Sequence, residues 1–294
     1  MSRKLLLVLL LTLLVSIALY TFTAGREPIR VRVATTTSLY ATGLLDYLAD
    51  KFKEGKQGVE IDFIAVGSGE ALRRAERGDA CLVFVHAPSL EKEYIEKGVI
   101  VGGRIFAYNY FVVVGPRDDP AGIRESENAV EAFKKIYSAG EKGLARFVSR
   151  GDNSGTHVKE LSIWSRAGLD PTGREWYLET GQGMAHTLLT ANELAAYTLS
   201  DIGTFLKLRS EGRISSLEVL YSNSTELINI YSIYLVGTCS GDEKKVAEEF
   251  TLFVLSNQEL IEKYGVEDYG QPLFYPARGR EDELKKYWEL LAGP

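Results

Sequence analysis

The chain has 294 residues, 45% of them apolar and 25% charged, which is enough for a full core and favours two domains over one. A net charge of −6 with no basic block excludes general affinity for nucleic acid. Any anion site in such a chain has to be made locally, from oriented dipoles and one or two cations.

At the N-terminus, Ser2-Arg3-Lys4 precedes an uncharged apolar run, residues 5–22, and polar residues return at Thr23-Ala24-Gly25-Arg26. A basic start followed by such a run predicts export. The run also reaches the ~18 residues at which a helix can span a membrane. Residues 1–27 therefore read as a cleaved signal or as a retained anchor, with both left open. No cysteine follows the run, so lipid attachment at a new N-terminal cysteine is excluded. The folded part is expected to begin near Pro28, outside the cytoplasmic membrane.

Strand-like and helix-like runs alternate from there. Residues 29–34 read as a strand, and Leu44, Leu45, Leu48, Ala49 and Phe52 repeat at helical spacing. A strand at 59–66, a helix at 70–77 ended by Gly78, an apolar strand at 81–85 and a helix at 90–97 follow. This β-α-β-α-β order predicts an α/β sheet whose ligands bind beyond the carboxyl ends of the strands. Residues 105–115 form a long apolar strand, broken by Pro116-Arg117-Asp118-Asp119-Pro120. A second block has helices at 129–138, 155–167 and 187–193 and a strand at 196–199. A last strand at 227–236 and helices at 244–255 and 281–291 close the chain. The reading is two α/β lobes, 28–108 plus 230–294 and 109–229, joined by crossings at 105–115 and 227–236. Cys81 and Cys239 are too few for a disulfide framework or a metal cluster. Both lie in or beside apolar runs, so buried free thiols are the simpler expectation, although an exported chain permits a bridge.

Three turns carry anion-binding chemistry. The densest is Ser149-Arg150-Gly151-Asp152-Asn153-Ser154-Gly155-Thr156, an arginine followed by small and hydroxyl residues at a helix start. Such a start offers free N–H groups and a positive dipole end. Thr35-Thr36-Thr37-Ser38 and Gly67-Ser68-Gly69-Glu70 have like chemistry after strand-like runs. Taken singly, each has a plainer reading as a helix cap or, for Arg150, as an ion pair. The tripeptide Arg150-Gly151-Asp152 matches an adhesion motif by chance and is absorbed by the longer run.

These motifs resemble those of the tungstate-binding Tup proteins. The likeness takes in the three turns with His157, Val85-His86-Ala87-Pro88 after Gly78-Asp79, and Tyr108-Asn109 with Gly115-Pro116. It continues through Gly181-Gln182-Gly183-Met184 and Ala196-Tyr197-Thr198-Leu199-Ser200-Asp201, and spans about residues 29–277. The resemblance implies an extracytoplasmic solute-binding component of an ABC transporter with a two-lobed, type II periplasmic-binding-protein-like fold, a hinge of two crossings and a cleft between the lobes. It places oxyanion contacts on Thr37, Ser38, Ser68, Arg150, Ser154, Gly155 and Thr156. It implies tungstate as ligand with molybdate as the close competitor, no cofactor, no directly ligated metal and no catalysis. The expected partners are membrane permease and ATPase subunits, with the receptor itself a monomer.

Two rival readings remain. Sulfate and phosphate are further tetrahedral oxyanions, and phosphate would need an acceptor such as Asp152 or Glu70 for its proton. A secreted hydrolase could be drawn from Asp152, Ser154 and His157, but residues this close on one turn seldom face one reacting atom. The three histidines lack metal-ligand spacing. His157 is expected to cap or pack, and His86, at a strand's carboxyl end, to stand behind the contact residues.

Overall fold

Arg30 and Arg32 are exposed while Val31 and Val33 between and beside them are fully buried, so the first strand begins with one face to the core, and from Val33 to Thr36 it is buried on both faces. The computed structural model describes residues 27–56, 58–222 and 225–293. The export segment expected at 1–27 lies outside them apart from Glu27. Among the described residues no helix is long and apolar enough to cross a membrane.

The first block runs β1 (Ile29–Thr36), α1 (Thr37–Ala41), α2 (Leu44–Glu54), β2 (Val59–Val66), α3 (Ser68–Glu76), β3 (Leu82–Val85) and α4 (Pro88–Glu96). The long strand β4 (Ile100–Pro116) leads into a second block. That block holds α5 (Ala129–Glu141), β5 (Phe147–Ser149), α6 (Gly155–Arg166), β6 (Tyr177–Glu179), α7 (Met184–Leu194), β7 (Thr198–Asp201), α8 (Ile202–Ser210) and β8 (Leu217–Tyr221). Strand β9 (Ile228–Val236) returns to the first block. There α9 (Gly241–Ser256), α10 (Gln258–Lys263), α11 (Val266–Tyr269), β10 (Tyr275–Pro276) and α12 (Glu281–Ala292) close the chain.

The main sheet has the order β10-β4-β9-β3-β1-β2, with β1 parallel to β2 and β3, and β9 antiparallel to both β3 and β4. Strand β3 is wholly buried, as its unbroken apolar run requires. Beyond Tyr110, β4 leaves β9 and pairs instead with β7 and β8. The packing changes at the same places. Phe106, Tyr108, Ile228 and Tyr231 belong to cores of the first block, whereas Phe111, Val113 and Leu227 belong to a core of the second. In that second core Trp164 packs on Phe133 with ring centres 4.5 Å apart and edge-on to Phe147.

The expected β-α-β-α-β order is present. The strand expected at 196–199 begins two residues later, and β5, β6, β8 and α8 were not expected at all. Three-residue strands such as Phe147–Ser149 are too short to show a period.

One expectation is corrected. Cys81 and Cys239 are not free thiols but a disulfide, with Cα atoms 5.1 Å apart. The antiparallel pairing of β3 with β9 and the turn after Val236 bring the two residues together across 158 positions of sequence. Closing so long a loop restricts the unfolded chain. Cys81→Ala with Cys239→Ala should therefore lower stability by about 2–4 kcal/mol, read from denaturant unfolding, with the fold itself retained.

Candidate functional site

The chain turns from strand to helix at three neighbouring places in the first block, all at the carboxyl ends of parallel strands. Thr36 ends β1 and caps α1, its hydroxyl accepting from Leu39 N at 3.2 Å. Ser38 lies in the first turn, buried, with Oγ 3.4 Å from Thr36 Oγ1 and 3.3 Å from His86 Nε2. Val66, the register partner of Thr36, is followed two residues later by Ser68, the first residue of α3. Ser68 does not cap that helix, and its buried hydroxyl has no hydrogen-bond partner. His86 directly follows β3, the other parallel neighbour of β1.

The second block supplies the opposing turn. Arg150 follows β5 and is 3% exposed. Its Nη2 donates to Asp152 Oδ2 at 2.5 Å, while its buried Nε is unpaired. The other Asp152 oxygen accepts from Ser154 N at 3.1 Å. Ser154 caps α6, accepting from His157 N, and Asn153 N donates to His157 Nδ1 at 3.0 Å. Thr156 is buried with its hydroxyl unpaired. Gly151 has φ 61°, and a Cβ there would sit 2.8 Å from Glu179 Cβ, so glycine is required.

The two halves touch at this seam. A Cβ on Gly155 would lie 3.1 Å from His86 Cε1 and 3.2 Å from the His86 carbonyl oxygen. Alongside, Lys207 Nζ donates to Ala41 O at 2.8 Å. Ser38, His86 and Gly155 thus form one contact chain, which continues along its own turn to Ser154, Thr156 and Arg150. Ser68 stands beside it through the β1–β2 register. Thr37, the first residue of α1, is exposed. A cavity of about 70 Å³ adjoins the seam, lined by His86, Phe111, Gly155, Lys159 and Asn229 among others. Ser38, Ser68, Arg150 and Thr156 do not line it, so it is separate from the donor cluster. Larger hollows of about 410 Å³ near Trp288 and about 570 Å³ near Trp176 hold none of the expected contact residues.

The hydrolase arrangement is not formed. The Ser154 hydroxyl accepts a backbone N–H from His157, and the His157 ring accepts from Asn153 N. This is a capped helix start, not a nucleophile facing its base. Of the acceptors suggested for phosphate, each Asp152 oxygen already accepts one bond, and Glu70 is held by Arg73 and Arg77.

Several supporting residues were given no role from the sequence, although Asn109 and Asp201 lay within the motifs quoted above. Glu160 accepts from Ser149 Oγ at 2.8 Å, Tyr177 OH at 2.6 Å and Trp164 Nε1 at 3.2 Å, and Ser149 Oγ in turn accepts from Gly151 N. Glu160 therefore steadies the turn that carries Arg150. Asp201 caps α8 through Thr204 and is fully buried; burial pushes its carboxyl up, while the charge of Arg150 pulls it back down. Asn109 and Asn229 are register partners on β4 and β9 and link through Asn229 to His86. Apart from the motif that includes Asn109, their signal in the sequence was an amide inside Tyr108-Asn109-Tyr110 and Ile228-Asn229-Ile230, where every neighbour is aromatic or aliphatic.

A family model described as a PBP superfamily domain matches residues 23–258. The tungstate-binding protein TupA of Peptoclostridium acidaminophilum is 37% identical over 250 residues, covering 83% of this chain and 84% of that protein. The chain belongs to the TupA family. TupA relatives share the fold as well. The crystal structure of the tungstate ABC transporter from Geobacter sulfurreducens is 40% identical with a TM-score of 0.71, covering 81% of this chain and 100% of that one. The tungstate binding protein TupA from Desulfovibrio alaskensis G20 is 37% identical with a TM-score of 0.72, covering 85% and 99%. The motif resemblance is thus a family membership, with a periplasmic-binding-protein architecture and a binding role instead of an enzymatic one.

Burial pushes the Glu160 carboxyl up to about 7, against the bonds it accepts. Between the ordinary carboxylate pKa of 4.5 and that value the folded chain keeps a proton that the unfolded chain has released. Stability should therefore fall as pH rises through this window. Glu160→Gln lacks the titration, and its denaturation midpoint should change less between about pH 5 and pH 7 than that of the native chain.

Proposed function

We propose that this TupA-family chain captures the tungstate dianion outside the cytoplasmic membrane and presents it to the permease and ATPase subunits of an ABC transporter. It does so as a monomer, with no cofactor and no chemistry. One observation carries the reading: Ser68 Oγ, Arg150 Nε and Thr156 Oγ1, all at expected contact turns, are buried donors without partners. Leaving such groups unpaired costs about 1–3 kcal/mol each, and a proton-free oxyanion answers them together. Asp152 and Glu70, already bonded to cationic and N–H donors, are weaker acceptors for a ligand's proton, which favours an oxyanion that brings none of its own. The disulfide is consistent with a working place outside the cytoplasm.

Donors come from both blocks, so the ligand draws them together. We read 28–108 plus 230–294 and 109–229 as lobes that hinge where β4 and β9 pass between cores, at the Asn109–Asn229 pair. Ligand-dependent closure then follows from contacts made to both lobes at once. Each charge-assisted bond contributes ~1.5–3 kcal/mol, and several together reach nanomolar affinity.

Calorimetric titration of the purified protein with tungstate, molybdate, sulfate and phosphate tests this. Tight one-to-one binding of tungstate, with sulfate and phosphate undetected, is the expected result, and molybdate, alike in charge and shape, is ranked by the same experiment. A folded sample that binds none of the four contradicts the reading. Arg150→Ala should weaken tungstate binding by well over tenfold, and a smaller loss removes Arg150 from the site. Ser68→Ala should cost less than Arg150→Ala, because backbone donors of α3 remain.

A further inference from the structure

A buried hydrogen-bond chain between the hinge and the site has its direction fixed at one end. Asn109 Nδ2 donates to the Leu273 carbonyl at 3.3 Å, which turns its Oδ1 toward Asn229. Asn229 Nδ2 donates to that oxygen at 3.1 Å and to the Tyr231 hydroxyl at 2.7 Å. Both amide hydrogens are then committed, and Asn229 Oδ1 must accept. The atom facing it, at 2.9 Å, is His86 Nδ1, which therefore carries a hydrogen. In a neutral imidazole the other nitrogen is a bare acceptor. His86 Nε2 lies 3.3 Å from Ser38 Oγ and takes that hydroxyl's single proton, while Thr36 Oγ1, which already accepts from Leu39 N, donates its own proton to Ser38 Oγ at 3.4 Å. Ser38 then has a lone pair to offer and no proton, the wrong polarity for an oxyanion that has no proton.

Resting on the tungstate reading above, we infer that His86 is the specificity-determining residue that sets the donor state of Ser38, so that capture of a proton-free oxyanion takes up one solvent proton at His86 Nε2. As the anion enters, the Ser38 O–H turns from Nε2 to an anion oxygen. The freed Nε2 lone pair binds a proton from solvent, and the new N–H donates to Ser38 Oγ. No bond within the anion changes, one proton leaves the solvent, and the added negative charge in the closed site is one less than the anion's own. An oxyanion that carries a proton donates it to Ser38 Oγ instead and leaves His86 neutral. The relay thus reads the protonation state of the ligand.

The surroundings of the ring suit this role. Tyr231 stacks on it at 4.9 Å, Phe111 lies at 6.4 Å, and Gly155 of α6 meets its edge. Burial keeps Tyr231 a neutral phenol. Arg150 is the cation whose charge reaches the ring and opposes protonation, and Asp201 couples to Arg150 and Tyr231. Burial, with the smaller effect of Arg150, holds His86 down to about 4, so the ring is neutral before capture. A dianion beside Ser38 reverses that balance.

The test is titration of the purified protein with tungstate at about pH 6 in two buffers of different ionisation enthalpy, which yields the protons exchanged on binding. The native protein should take up close to one proton per tungstate. His86→Gln, whose amide can donate to Ser38 without titrating, should bind with uptake near zero. No uptake by the native protein, or equal uptake in His86→Gln, overturns the inference. If His86→Gln does not fold, Ser38→Ala gives the second readout: uptake should vanish while weaker binding persists, and uptake retained there also overturns it. Absence of any tungstate binding overturns the functional reading and this inference with it, whereas binding without uptake overturns this inference alone.

Discussion

A guanidinium with 3% of its residue surface in water has to be answered inside the protein, because an unpaired buried charge costs several kcal/mol. At Arg150 the answer is partial. Asp152 takes one nitrogen and at the same time fixes the turn by accepting Ser154 N, while Nε is left unpaired. Behind the turn Ser149 is held by Glu160, itself fixed by Tyr177 and Trp164 of the second core. The charge is therefore held in place by groups that leave one of its donors unspent. On the proposed reading, that unspent donor is what a net-acidic protein would offer an anion locally.

The remaining donors depend on the sheet. Parallel pairing of β1 with β2 and β3 brings the ends of three strands side by side, so Ser38, Ser68 and His86 arrive together without any contact among their own loops being needed. Antiparallel β9 and β4 run behind them and carry the chain into the second block and back. Asn109 and Asn229 sit where those two strands leave one core for the other, and His86 joins that point to Ser38. The polar chain and the mechanical crossing occupy the same few residues. On the proposed reading, contacts at the ligand and motion at the hinge would be coupled through these bonded neighbours.

Much of this was legible in advance, and the reasons differ by element. The period of Leu44, Leu45, Leu48 and Phe52, and the unbroken run of Leu82–Val85, follow directly from burying one helix face or a whole strand. The three turns were legible because hydroxyls, glycines and one arginine after apolar runs have few other uses in combination. Within its turn Thr37 is exposed while its neighbours Thr36 and Ser38 are buried, a difference that residue type alone does not foretell. Short pieces such as β5 and β6 carry no period, and the Cys81–Cys239 bridge depends on a β3–β9 pairing that no local pattern specifies. The relay of Asn109, Asn229 and His86 was hidden for the same reason: its members are far apart in sequence and meet only through strand register.

The most direct test of the central claim is the anomalous scattering of tungsten in crystals of the protein grown with tungstate. The account predicts a single tungsten peak at the seam, within hydrogen-bonding reach, through its oxygens, of Ser38, Ser68, Arg150 and Thr156. A well-ordered peak away from Arg150 and these hydroxyls, or the donor cluster unchanged at saturating tungstate, would contradict it.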